Sequence, residues 1–63
     1  MKKNEAIKKI EKHLLEEKVI TTNEIAKLLN ISWNTAEKYL LELVISKKIQ
    51  KIKKEGVNLW VKI

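Results

Sequence analysis

Side chains with reactive chemistry are scarce in this chain. His13 is its one histidine; there is no Cys, Asp or Arg, and every carboxylate side chain is a Glu. His13 stands between Lys12 and Leu14 with no partner constellation around it, and reads as a surface or half-buried helix residue. A metal centre needs several converging His, Cys or carboxylate ligands, and the pattern supplies none. Phosphate-cradling loops need clustered glycines, whereas Gly56 stands alone. Neither catalysis, nor a metal, nor a small-molecule cofactor is expected. The chemistry that remains is positive charge. Fourteen Lys against eight Glu give a net charge of +6, an attraction for nucleic acid or another anionic surface. Residues 32–63 hold seven Lys and three Glu, and within Ser46–Ile63 there are six Lys and one Glu. The charge is concentrated towards the C-terminal third, on Lys51, Lys53, Lys54 and Lys62 among others.

Sixty-three residues are enough for one small domain. A chain of this length buries only roughly 60% of its unfolded surface, so its core has little margin. The 44% of hydrophobic residues come in short runs, far from the ~20 consecutive apolar residues of a membrane span. No apolar stretch of signal-peptide type follows the N-terminal lysines, so a cytoplasmic protein with no membrane partner is expected. Nine Ile, eight Leu and four Val suffice for a compact core despite 35% charged residues. One Gly and no Pro leave few breakers, which favours helices. The Lys-, Glu- and Ile-rich, Arg-free usage fits a thermophile or an AT-rich genome.

What must position these lysines is a succession of short elements. After Asn4, read as an N-cap, Ala6, Ile7, Ile10 and Leu14 recur at helical spacing and predict a helix over 4–17. Val19 and Ile20 are β-branched and predict an extended link or a very short strand. Thr21-Thr22-Asn23-Glu24 has the form of a capping box, opening a helix over 22–29 whose apolar face is Ile25, Ala26 and Leu29. Asn30 stands where the chain must leave that helix, in a position suited to the left-handed conformation. Ser32 is the next N-cap, and Ala36, Leu40 and Leu43 form the inward stripe of a third helix over 33–46, flanked by Tyr39 and Val44. Beyond Ile49 the period changes to two. Ile49–Lys53 and Val57–Ile63 predict a hairpin over 49–63 around the three-residue loop Lys54-Glu55-Gly56. In its second strand Val57, Leu59, Val61 and Ile63 share an apolar face, with Asn58, Trp60 and Lys62 on the other. The fold class is α+β, mainly α with a small β-hairpin.

The run Ala26-x-x-Leu29-Asn30-Ile31-Ser32-x-x-Thr35-Ala36-x-x-x-Leu40-x-x-Leu43 resembles a helix-turn-helix. A small Ala lets two helices cross closely, and a tight turn joins them. With Thr21-x-x-Glu24-Ile25-Ala26 upstream and the basic hairpin downstream, nearly the whole chain resembles a three-helix winged helix-turn-helix domain. Such domains occur in prokaryotic and archaeal, and also viral, transcription regulators. The resemblance implies a nucleoid-associated protein that binds double-stranded DNA, with the third helix as recognition helix and the hairpin as wing. Two positions depart from the family pattern: Asn30 and Lys48 stand where Gly is common, and Lys48 implies a different approach to the wing.

On the recognition helix, Ser32, Trp33, Asn34, Thr35 and Lys38 are the residues the resemblance places towards DNA. Asn34 and Lys38 lie opposite the buried stripe. Asn34 can pair bidentately with adenine and Lys38 can reach a phosphate or guanine, unless both are ordinary solvated residues. Trp33 lies on the flank of the stripe and either packs partly or stacks against sugar or a thymine methyl. Thr22 and Asn23 open the second helix, where free backbone N–H groups suit a phosphate, or they serve capping alone. Lys51, Lys53 and Lys54 form a phosphate clamp or a charged edge that discourages aggregation. Trp60 either covers the far side of the hairpin or sits beside the lysines as an aromatic contact. Leu41 and Ile45, an apolar pair opposite the stripe, suggest a second chain, most simply a homodimer. The expectation is a small DNA-binding regulator. Its rival is a winged helix that docks onto a protein complex through Trp33, Leu41 and Ile45, with RNA binding as a third reading.

Overall fold

The computed structural model describes residues 2–63. Six elements follow one another: α1 (Lys3–Glu17), β1 (Val19–Thr21), α2 (Thr22–Leu29), α3 (Trp33–Ile45), β2 (Ile49–Lys54) and β3 (Val57–Lys62). Three helices pack against a three-stranded antiparallel sheet of order β1-β3-β2, so the α+β class expected from the sequence is found.

The helix boundaries follow from local chemistry. In α1 the residues Ala6, Ile10 and Leu14, spaced by four, are all buried. The helix begins one residue before the expected cap: Lys2 occupies the N-cap position in extended conformation without a side-chain bond, and its carbonyl accepts from the Ala6 N–H at 3.1 Å. Asn4 therefore lies inside the first turn. Thr21 caps α2 as the capping-box pattern predicts, its Oγ1 accepting the Glu24 N–H at 3.2 Å and donating to Glu24 Oε1 at 3.3 Å. Ser32 caps α3 in the same way, its Oγ accepting from the Thr35 N–H at 3.2 Å.

Both α2 and α3 end in the same motif. Asn30 is left-handed (φ 54, ψ 49), its N–H bonds to the Lys27 carbonyl, and the Ile31 N–H bonds to the Ala26 carbonyl. At the end of α3 the Lys47 N–H bonds to the Val44 carbonyl at 2.9 Å and the Lys48 N–H to the Leu43 carbonyl at 3.0 Å. These are paired 5→2 and 6→1 bonds that satisfy carbonyls otherwise orphaned at a helix end. Before the hairpin the chain passes through positive φ at Lys47 (φ 60).

The hairpin differs from expectation in its turn and in its facing. Lys54 pairs with Val57, so the loop is Glu55-Gly56 alone, two residues rather than three. Both have positive φ (50 and 79), as the type I′ turn that matches strand twist requires. The facing is inverted. Trp60 is fully buried, whereas Val57 is half exposed and Ile63 is 67% exposed. Ile20, Trp60 and Lys51 stand opposite one another across the three strands. Ile20 and Trp60 therefore point together into the core, joined there by Ile49 and by the stripes of the three helices. The expected apolar face of β3 is the outer one. An indole side chain removes about 150–250 Å² from water, roughly 4–6 kcal/mol of transfer free energy at ~25 cal/mol per Å², and on the inner side its N–H finds the Thr22 hydroxyl.

Candidate nucleic-acid interface

The start of α2, the start of α3 and the hairpin turn meet at one cleft, lined by Thr21, Thr22, Asn23, Trp33, Gly56, Val57 and Asn58. The left-handed step at Asn30 makes this possible, because it turns the chain from α2 into α3 within three residues. Lys53 and Lys54 stand directly across the ladder from Asn58 and Val57. The lysine-bearing strand therefore runs beside the cleft, and β2 is an edge strand of the sheet.

Several lysines of α3 and the hairpin have no carboxylate partner, although Glu55 stands in the turn and Glu37 on α3. Among the described residues the ion pairs are Lys3–Glu42 at 2.8 Å and Lys48–Glu11 at 3.4 Å, and His13 Nε2 lies 3.8 Å from Glu24 Oε2. Lys38, Lys51, Lys53, Lys54 and Lys62 are exposed, and none has a carboxylate partner among those pairs. Lys51 extends over the buried indole, its Nζ 5.7 Å from the Trp60 ring centre. The aliphatic stem thus shields the ring while the ammonium stays in water.

The residues singled out in the sequence occupy different settings. Asn34 and Lys38 are exposed on α3. Trp33 is 44% exposed, so one part of its ring packs while the other remains open, and it borders the cleft. Ser32 and Thr35 are tied to each other, the Ser32 hydroxyl donating to Thr35 Oγ1 at 2.8 Å. Asn23 is exposed, whereas Thr22 is buried, with 3% of its surface accessible: its hydroxyl accepts from Trp60 Nε1 at 2.8 Å and donates to Glu37 Oε1 at 3.2 Å. Thr22 is thus closed to an anion, and Asn23 is the exposed residue at the start of α2. Leu41 and Ile45 are exposed at 40% and 79% and share a shallow groove with Trp33, Asn34, Glu37, Lys38 and Glu42.

Sequence reasoning misses Glu37 and Asn58. Asn58 Nδ2 donates to Glu37 Oε1 at 3.2 Å, so that one carboxylate oxygen joins α3, β3 and α2. The signal is present: Asn58 alternates with Trp60, and a polar residue on an inward face requires a partner. It is hidden because the apolar alternation of β3 marks that face as the outer one. The contact between His13 on α1 and Glu24 on α2 is likewise invisible without the fold.

No family model, no curated protein and no solved structure matches the chain.

Taken as chemistry, the region offers unpaired ammonium groups on an edge strand, the exposed Asn23 at the start of α2, and an exposed amide and indole at the start of α3. Such a set can hold a polyanion along one side of the molecule. Among the described residues no three His, Cys, Asp or Glu side chains converge on a metal position, and no helix is long and apolar enough to cross a membrane.

Proposed function

We propose that this chain is a winged helix-turn-helix protein that binds double-stranded DNA and acts as a small transcriptional regulator. In this reading α3 enters the major groove and the β2–β3 hairpin is the wing, its lysines on the phosphates. The observation that carries the reading is the convergence of the α2 start, Trp33 and the hairpin turn on one cleft, beside lysines that have no carboxylate partner. It is supported by the order of elements and by the left-handed step at Asn30 between α2 and α3. With Arg absent, the commonest guanine reader is missing, and Asn34 is the best-placed side chain for a base edge.

A homodimer held through Leu41 and Ile45 completes this reading, leaving the N-terminal end of α3 to DNA. The shallow groove along α3 also favours a second reading, docking onto another protein. It combines exposed Trp33, Leu41 and Ile45 with the mixed charges Glu37, Lys38 and Glu42 rather than a basic surface.

A mobility-shift titration with duplex DNA, single strands and double-stranded RNA at two salt concentrations tests the proposal. Duplex DNA is expected to bind most tightly. Changing Lys51, Lys53 and Lys54 to Gln is expected to weaken every duplex alike and to flatten the slope of log affinity on log salt by about 0.9 for each phosphate no longer neutralised. No duplex binding, together with a monomer in sedimentation at all concentrations, would sink the DNA reading and leave the docking one.

A further inference from the structure

A carboxylate on the side of the molecule meant for phosphates is a liability, and Glu37 is such a carboxylate. It lies on α3 between Asn34 and Lys38 in sequence and borders the same groove. We propose that Glu37 is a positioning residue, which pins the hairpin to α3 so that the two meet one duplex as a rigid unit. This rests on the duplex-DNA reading above.

The geometry is that of a hub. Glu37 Oε1 accepts from Thr22 Oγ1 and from Asn58 Nδ2, both at 3.2 Å. Thr22 Oγ1 in turn accepts from Trp60 Nε1 at 2.8 Å. The indole is a donor only, so the single Thr22 proton is directed onwards to Glu37, and the chain of bonds has one polarity. The chain ends at the carboxylate, which also takes the Asn58 bond. Asn58 and Trp60 lie two residues apart on the inner face of β3, Thr22 opens α2, and Glu37 belongs to α3. Three elements that border the cleft are therefore fixed relative to one another through one oxygen. Bonds to a charged acceptor are stronger than neutral ones, which gives the pin a reason to be Glu despite the repulsion it adds towards phosphates.

Charge and positioning predict opposite signs, so they can be separated. Glu37→Gln removes the charge but keeps an amide oxygen able to accept both bonds. Glu37→Leu removes charge and bonds together, and Asn58→Ala removes only the direct bond between β3 and α3, leaving the Trp60–Thr22–Glu37 path. Duplex affinity is measured for each variant, alone and combined with the Lys51, Lys53 and Lys54 to Gln changes. The Trp60 indole N–H exchange rate is followed by NMR in a Trp33→Phe background, where a single indole remains. Glu37→Gln, with weaker neutral bonds but no repulsion towards phosphates, should bind more tightly than Glu37→Leu. Glu37→Leu and Asn58→Ala should lose about tenfold, the scale of one charge-assisted bond, with a flatter salt slope, little further loss in the triple lysine background, and faster indole exchange. Glu37→Leu binding as tightly as Glu37→Gln overturns the proposal, and so does a loss fully additive with that of the lysines. Should the parent not bind duplex at all, the functional reading fails with it. The pin is then judged on indole exchange alone, and unchanged exchange in Glu37→Leu and Asn58→Ala overturns that too.

Discussion

The two faces of the small sheet are made from the same strands and are treated oppositely by the fold. The inner face carries Ile20 and Trp60, fully buried, with Asn58 and Lys51 beside them. The outer face carries Val19, Ile52 and Val57, each about half exposed, with Leu59 and Val61 partly so. By composition the outer face of β3 is the more regularly apolar, yet it is the inner one that is buried. Alternation with period two therefore says that a strand has two faces without saying which is in. What decides is what each face can place against the helices: a large ring with a donor that finds Thr22, or a row of smaller side chains.

The largest expected effect comes from the ring itself. Trp60→Ala should cost roughly 3–5 kcal/mol, enough to leave the chain largely unfolded, as read by urea or thermal melts. A smaller loss would mean that the inner face tolerates collapse around the gap. Next is the donor's partner: Thr22→Val keeps the shape but strands the indole N–H and removes one bond to Glu37, at about 1–3 kcal/mol by the same melts. Gly56→Ala is expected to cost about 1–2 kcal/mol through backbone strain alone, because φ is +79 and no heavy atom lies within 4 Å of the new Cβ. The smallest effect belongs to the outer face, where Val61→Thr should shift stability by within about 0.5 kcal/mol. An outer-face loss comparable to that of Thr22→Val would break the comparison and show that this face is covered in solution.

Much of the architecture is legible from particular residues. Thr21, Ser32 and Asn30 announce helix boundaries because a cap is a local event: a hydroxyl reaches an N–H three residues on, and a short side chain tolerates positive φ. The stripe Ala36, Leu40 and Leu43 is readable for the same reason, since helical spacing and burial coincide. The turn differs by one residue from its sequence reading because Lys54 can close either loop, and only pairing with Val57 settles the count. The facing of β3 is not legible locally. It depends on the pairing of Ile20 with Trp60, two residues far apart in sequence. The site follows suit: exposed candidates such as Asn34, Lys38 and the hairpin lysines are found by residue type, whereas Glu37 and Asn58 acquire meaning only once the inner face is known.

The chain reverses direction at Lys18, Lys47 and Glu55 with side-chain-bearing residues at positive φ (67, 60 and 50). An L-residue held there loses about 1–2 kcal/mol relative to its preferred backbone, partly offset by the ~0.5–1 kcal/mol that glycine forfeits in the unfolded chain. Lys18→Gly and Lys47→Gly should therefore each raise the melting temperature by a few degrees, a net gain of about 0.5–1 kcal/mol. The protein sits below its own thermal ceiling. The headroom lies at two exposed helix ends, outside both the apolar core and the proposed binding residues. Heat tolerance and ligand recognition can thus be altered separately in this fold, one without retuning the other.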